Sequence, residues 1–223
     1  MILRYQSKLE DLDPRTVFAW HCRAGAFERL TPPWARVGLI SRKGGIDDGG
    51  EIALRVHKGP CSFRWTLRHY DYVKNTQFCD EQISGPLGSW KHVHKFEPLG
   101  KQGTRLVDEI EVQFPFGPLG LALGRGSIKR DLSRLFQFRY RRLLTDLARH
   151  TQYSASPRLT VAITGSSGLI GSNLASFLTT GGHKVIRLVR DRNALGEGKI
   201  YWDPREGDID LEGLASADAV VNL

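Results

Sequence analysis

The sequence predicts two regions of different build: an α+β region over residues 1–152 and the opening of an α/β region over residues 159–223. Three observations predict this. Alternating apolar and polar runs fill residues 34–116, as antiparallel strands with one solvated face do. An apolar stripe at helical spacing follows, from about Leu121 to His150. Beyond it, an apolar run enters the glycine-rich turn of "TVAITGSSGLIGSNLASFL" and continues as a helix.

Taken in order, an extended start from Ile2 to Leu9 leads to "DPRTVFAWH", where Asp13 can cap a short helix with Pro14 at its first position. A second short helix around Gly25 to Leu30 stops at Thr31-Pro32-Pro33. The runs "EIALRV", "SFRWTLRHYDYV", "SWKHVHKF" and "TRLVDEIEVQF", separated by Gly, Pro, Asn and Asp, then read as an antiparallel meander. In the long helix Ile128, Leu132, Leu135, Phe136, Leu143 and Leu147 share one face, and Arg130, Arg134, Arg141, Arg142 and Arg149 share the other. That stripe must be buried on the concave side of the sheet, and a cavity between the two is expected.

The segment "TQYSASPRL" is small, polar and rich in turn formers, so residues 153–158 read as a linker with its boundary near Tyr153. Two domains fit a chain of 223 residues.

Composition excludes several classes. Hydrophobic residues at 40% and charged residues at 25% allow a sizeable core and argue against wholesale disorder. No apolar run approaches the roughly 20 residues of a membrane-spanning helix, and acidic residues come too early in the chain for a signal peptide. A cytoplasmic location without membrane insertion is therefore expected. Cys22, Cys61 and Cys79 have no Cys-x-x-Cys spacing and are odd in number, which argues against a disulfide framework or a zinc site. The net charge of +8 arises in residues 1–152, whose 25 basic and 16 acidic residues outweigh the 7 basic and 8 acidic residues that follow. Most of the basic residues are arginines spread through strand-like segments, so a nucleic-acid partner is not expected.

In the second region Gly165, Gly168 and Gly171 follow a G-x-x-G-x-x-G spacing between an apolar strand and a helix. Gly165 lets the chain turn off the strand, Gly168 lets backbone amides approach a pyrophosphate, and Gly171 lets the helix pack close to the sheet. Ser166, Ser167, Leu169 and Ile170 complete the turn, whose amides and positive helix end suit an anion. The helix stops at Gly181-Gly182 and "HKVIRLVR" supplies a second strand, the strand–helix–strand context a dinucleotide site needs. Arg190 and Arg192 after that strand favour NADP over NAD, since arginine can accept a 2′-phosphate. Asp191 between them keeps NAD open.

Within the first region Trp90, His92, His94 and Phe96 fall on one face of a strand, a candidate lining for the ligand cavity. The two histidines lack an evident third metal ligand in the sequence, so no metal is expected. Arg139 falls inside the apolar stripe of the long helix, where Asp80, Asp108 or Glu109 could partner it.

Two family resemblances rest on these residues. The order of elements, with "VFAWHCRAGAFERLTPPW", "GPLGSWKHVHKF" and "FRYRRLLTDLARH", resembles the START-like (SRPBCC, polyketide cyclase-like) superfamily, the helix-grip fold. It implies an apolar or amphipathic small molecule held between helix and sheet. The turn, the arginines and "IYWDPREGDIDLEGLASADAVVNL" resemble extended short-chain dehydrogenase/reductases of the epimerase-like, cell-division-inhibitor-like kind. That resemblance implies an incomplete Rossmann domain in which Asn222 begins the segment beside the cofactor ribose.

The Tyr-x-x-x-Lys pair of that superfamily does not follow Gly171. Tyr70 and Lys74 have the spacing but sit in a strand pattern, about 13 Å apart at ~3.3 Å per residue. No catalytic residue is therefore assigned. The expectation is the truncated front portion of an NAD(P)-dependent epimerase- or dehydratase-like oxidoreductase, behind a domain that binds an apolar small molecule. The alternative is a non-catalytic small-molecule-binding protein. Self-association through the incomplete sheet is also expected.

Overall fold

The computed structural model describes residues 1–223. The chain divides into two compact units, Met1–Cys22 with Leu30–Leu144, and Arg23–Arg29 with Thr145–Leu223. The second unit thus begins ahead of the expected linker and takes in a segment near the amino terminus. Within that unit Arg29 forms a buried ion pair with Asp146 and Arg23 donates to the Thr180 carbonyl, contacts between residues far apart in sequence and invisible to local composition.

In the first unit β1 (Ile2–Leu9) and α1 (Pro14–Cys22) precede β2 (Val37–Lys43), β3 (Glu51–Lys58), β4 (Cys61–Val73), β5 (Gln77–Ser84), β6 (Ser89–Leu99) and β7 (Gly103–Gln113), whereas α2 (Ala26–Leu30), which follows α1 in the chain, belongs up to Arg29 to the second unit. The strands form one antiparallel sheet in the order β1-β7-β6-β5-β4-β3-β2. Each strand pairs with its neighbour in sequence except β1, which closes onto β7. Register shifts between Leu39 and Ser41, Thr66 and Leu67, and Tyr70 and Val73 mark irregularities that bend strands and raise local twist. Asp13 caps α1 as expected, its carboxylate accepting from the amides of Arg15 and Thr16.

α3 (Gly117–Gln152) begins ahead of the expected Leu121, because Pro118 is tolerated in a first helical turn. From its stripe Leu132 and Phe136 pack with Trp90, Ile110 and Val112 in one core cluster, and Ile128 and Leu135 lie at its margin. Phe18 of α1 meets Phe96 edge-on at 5.0 Å, which adds a second aromatic layer. Antiparallel sheet and long helix together make the α+β helix-grip arrangement anticipated for this region.

In the second unit β8 (Thr160–Ile163), α4 (Leu169–Thr180), β9 (Lys184–Val189), β10 (Lys199–Asp203), β11 (Asp208–Ile209), α5 (Leu211–Leu214) and β12 (Ala219–Val221) follow one another. The sheet order is β11-β10-β9-β8-β12, with β8, β9, β10 and β12 parallel and β11 antiparallel to β10. β8 is buried on both faces: Val161 and Ile163 pack with Ala175 of α4, while Ala162 packs with Leu188 and Ile200. The short hairpin of β10 and β11 was not legible in the sequence, since two residues of β11 carry no periodicity.

None of the three cysteines forms a disulfide, and no helix is long and apolar enough to cross a membrane. Tyr70 lies in β4 and Lys74 in the turn after it, so the pair shares no helical face.

Candidate functional site

The alternation along β6 points Trp90, His92, His94 and Phe96 toward α1 and α3, and strand register decides what they meet. On β5 the residue opposite His92 is Asp80, and on β7 the residue opposite His94 is Asp108. Two carboxylates and two imidazoles therefore share one patch of the concave face. His92 Nε2 lies 3.0 Å from Asp108 Oδ1, and His92 Nδ1 lies 3.3 Å from Asp80 Oδ2. Correspondingly, His94 Nδ1 is 2.7 Å from Asp108 Oδ1 and His94 Nε2 is 3.4 Å from Asp80 Oδ2.

The remaining carboxylate oxygens are also engaged. Trp90 Nε1 donates to Asp80 Oδ1 at 3.0 Å, and the Tyr140 hydroxyl, from α3, donates to Asp108 Oδ2 at 2.7 Å. Aromatic rings enclose the patch: Phe78 stacks on His94 at 4.2 Å, and Phe136 meets His92 edge-on at 5.8 Å. Asp80, His92 and Asp108 are each over nine-tenths buried.

Burial opposes charge here, and partners decide the outcome. Burial works against the His92 imidazolium, but the Asp80 charge and the contacts with Asp108 and Asp80 carry its pKa up to about 9. Burial would raise both carboxyls, yet the imidazoles of His92 and His94 hold Asp80 and Asp108 far below the usual carboxylate range. Tyr140 is pushed well above the ordinary phenol value by burial and by Asp108. His21 on α1 has its pKa lowered to about 4 by burial, against the Val17 carbonyl 2.8 Å from its Nδ1.

A small cavity of about 20 Å³ opens beside this patch. Its polar wall is His21, His94, Asp108, Arg139 and Tyr140, and its apolar wall is Leu30, Leu106, Phe136 and Leu143. That is room for about one water molecule and far below the roughly 300–1,000 Å³ of small-molecule sites. Of the residues expected to line it, His94 and Arg139 do; Trp90, His92 and Phe96 lie on the same sheet face but behind the lining. Arg139 does not pair directly with a carboxylate: its Nε donates to the Leu30 carbonyl at 3.3 Å, and its guanidinium lies 5.4 Å from the Phe136 ring centroid. Asp108 and Asp80 act on it through their field, against the burial that lowers its pKa.

Sequence reading missed Tyr140, left His21 without a role because its spacing from Glu28 is uninformative, and took Asp80 and Asp108 only as partners for Arg139. One signal was available: Asp108 stands between the buried Leu106 and Ile110, in the inward set of β7, and Tyr140 stands four residues after Phe136 on the helix stripe.

The glycine turn of the second unit is built on backbone contacts. Gly165 has φ +58°, a conformation that disfavours a side chain, and a Cβ on Gly171 would stand 2.3 Å from the Gly165 carbonyl oxygen. Gly171 therefore serves the closeness of turn and helix start. No side chain caps α4 at Gly168, and Ser167, Leu169 and Ile170 are exposed around it, while Ser166 is buried. Uncapped first-turn amides at an open surface fit an anionic group. Arg190 directly follows β9 and is exposed. Arg192 is held elsewhere, its Nη2 2.8 Å from Asp208 Oδ2 and its guanidinium 3.7 Å from the Tyr201 ring centroid. Asp191 caps the following turn through the Asn193 amide, and Asn222 Oδ1 accepts from the Thr164 hydroxyl at 2.7 Å.

Comparison with known proteins bears on both units. The family model for polyketide cyclase / dehydrase and lipid transport matches residues 11–138. A nucleoside-diphosphate sugar epimerase from Corynebacterium glutamicum superposes with a TM-score of 0.81 at 30% identity, over 99% of this chain and 45% of that one. An aromatase/cyclase from Streptomyces sp. R1128 shares the fold of 70% of the chain, covering 99% of its own, at a TM-score of 0.55 and 14% identity. An epimerase family protein of Mycobacterium leprae is 46% identical over 69 residues, 31% of this chain and 22% of that protein. The chain thus spans less than half of the Corynebacterium protein and under a quarter of the Mycobacterium relative.

Proposed function

The chain belongs to the polyketide cyclase / dehydrase and lipid transport family, matched over residues 11–138, and from that premise we propose that it couples a ligand-binding helix-grip unit to the dinucleotide-binding part of an epimerase-like oxidoreductase. The first unit takes a small amphipathic molecule, for which the gap between α3 and the sheet widens. Its apolar part faces Leu30, Leu106, Phe136 and Leu143, and its polar part faces His94, Arg139 and Tyr140.

The observation that carries the second half of the reading is the turn at residues 165–171. Its geometry requires glycine at Gly165 and Gly171, and it leaves the start of α4 uncapped and open to a diphosphate. Likeness to a protein described as a nucleoside-diphosphate sugar epimerase, over nearly the whole chain, supports it. We read β8, α4, β9, β10 and β12 as the opening of a Rossmann domain, with Arg190 selecting NADP over NAD. Arg192, already paired with Asp208, contributes less. Asn222 and the exposed amides would hold the cofactor, whose nicotinamide would supply hydride transfer.

The test is a titration of the full chain with NADPH and NADH, read by nicotinamide fluorescence and by melting temperature. NADPH is expected to bind more tightly, Gly171→Val to abolish binding, and Arg190→Ala to erase the preference. No response to either nucleotide refutes the dinucleotide reading. Stabilisation by medium-chain fatty acids alone would favour a second reading, a non-catalytic carrier of a small molecule, which the polar-lined cavity also supports.

A further inference from the structure

The sequence left His92 and His94 without a third ligand, and the sheet register provides one. We propose that Asp80, His92 and His94 form a binding site for a divalent transition-metal ion, with Asp108 as the shared outer partner of both imidazoles. Donor atoms of the three residues lie within 4.8 Å of one another. The site is independent of the nucleotide reading, since it lies wholly in the first unit.

Three observations carry the assignment. The first is distance. Asp80 Oδ2 stands 3.3 Å from His92 Nδ1 and 3.4 Å from His94 Nε2. Charge-assisted N–H···O bonds are shorter, about 2.7–2.9 Å. With metal–ligand bonds of about 2.0–2.1 Å, a tetrahedral set has edges of about 3.3–3.4 Å, so these spacings suit ligands around an ion.

The second is the outer partners. A ligating histidine ordinarily gives its other ring nitrogen to a carboxylate, which fixes ring orientation. Here His92 Nε2 and His94 Nδ1 both face the same oxygen, Asp108 Oδ1, at 3.0 and 2.7 Å. The nitrogens left facing Asp80 are the ones that would bind metal. Asp108 is itself held by the Tyr140 hydroxyl, and the Trp90 indole occupies Asp80 Oδ1, which leaves Oδ2 as the ligand atom.

The third is ligand chemistry. Two imidazoles and one carboxylate suit zinc or ferrous iron and do not suit magnesium or calcium, which take oxygen donors. Three protein ligands are the open kind of site, in which water or a substrate atom completes the shell.

The full chain, purified without a histidine tag or chelator, is loaded with Co²⁺, freed of excess ion and read by elemental analysis and visible absorption. One Co²⁺ per chain is expected, with ligand-field bands lost on adding Zn²⁺. His94→Ala and Asp80→Ala should abolish retention, Asp108→Asn should weaken it by about 10- to 100-fold, and His183→Gln should leave it unchanged. Because substitutions in a buried patch can unfold the chain, X-ray absorption of the Zn²⁺-loaded wild type provides a readout that needs no variant; two imidazoles and oxygen donors are expected. Absence of retained metal in the folded wild type, a sulfur-bound ion, or equal retention in folded His94→Ala would overturn the assignment.

Discussion

Arg29 and Asp146, 117 residues apart, meet in a buried two-pronged ion pair, Nε to Oδ2 at 2.7 Å and Nη2 to Oδ1 at 2.6 Å. Removing one member leaves the other charged and buried, so Asp146→Ala should destabilise the chain by about 3–5 kcal/mol. Replacing both, as Arg29→Met with Asp146→Leu, should recover most of that loss. Chemical denaturation of the single and double variants measures the difference.

Tyr140→Phe deletes the hydroxyl that donates to Asp108 Oδ2 at 2.7 Å. A buried carboxylate oxygen then lacks its donor, and a loss of about 1.5–3 kcal/mol follows. Phe136→Ala should cost more, about 3–5 kcal/mol, because a side chain only 2% exposed leaves a void between helix and sheet. Should Tyr140→Phe cost nothing, the Asp108 network does not stabilise the fold as described.

The glycine turn makes a graded prediction. Gly171→Ala forces a Cβ against the Gly165 carbonyl and should cost about 1–3 kcal/mol. Gly165→Ala imposes the left-handed penalty of about 1–2 kcal/mol. Gly168→Ala, where φ is −73° and the nearest atom is 3.2 Å from the new Cβ, should cost least. Thermal melts of the three variants test that order.

Stability should fall as the solution is acidified, and His150 contributes to this. Burial lowers its pKa from 6.5 to about 4, with the ring stacked on Phe177 at 4.6 Å. The unfolded chain therefore takes up a proton between pH 6.5 and 4 that the folded chain refuses, so this contribution is complete above pH 6.5 and lost on descending to pH 4. His150→Gln should flatten the dependence of melting temperature on pH in that window. An unchanged slope would show that another group is responsible.

Much of the architecture was legible because it is written in short-range periodicity. The period of two placed Trp90, His92, His94 and Phe96 on one face of β6, and the helical spacing of Leu132, Phe136, Leu143 and Leu147 marked the buried face of α3. Gly165 and Gly171 were readable as a turn between strand and helix, although the task of Gly171 proved to be closeness to the Gly165 carbonyl. The β10–β11 hairpin escaped notice because it is too short to carry a pattern.

The type and order of most elements, the inward face of β6 and the glycine turn were thus determined by the sequence alone, since each depends on residues within a few positions of one another. Tertiary structure alone decided that Asp80 stands beside His92, that Asp108 stands beside His94, and that Tyr140 reaches across to close the network. Register between neighbouring strands, and the seating of a helix on a sheet, are set by the packing of the whole core. A single-residue slip would turn every one of these side chains to the opposite face.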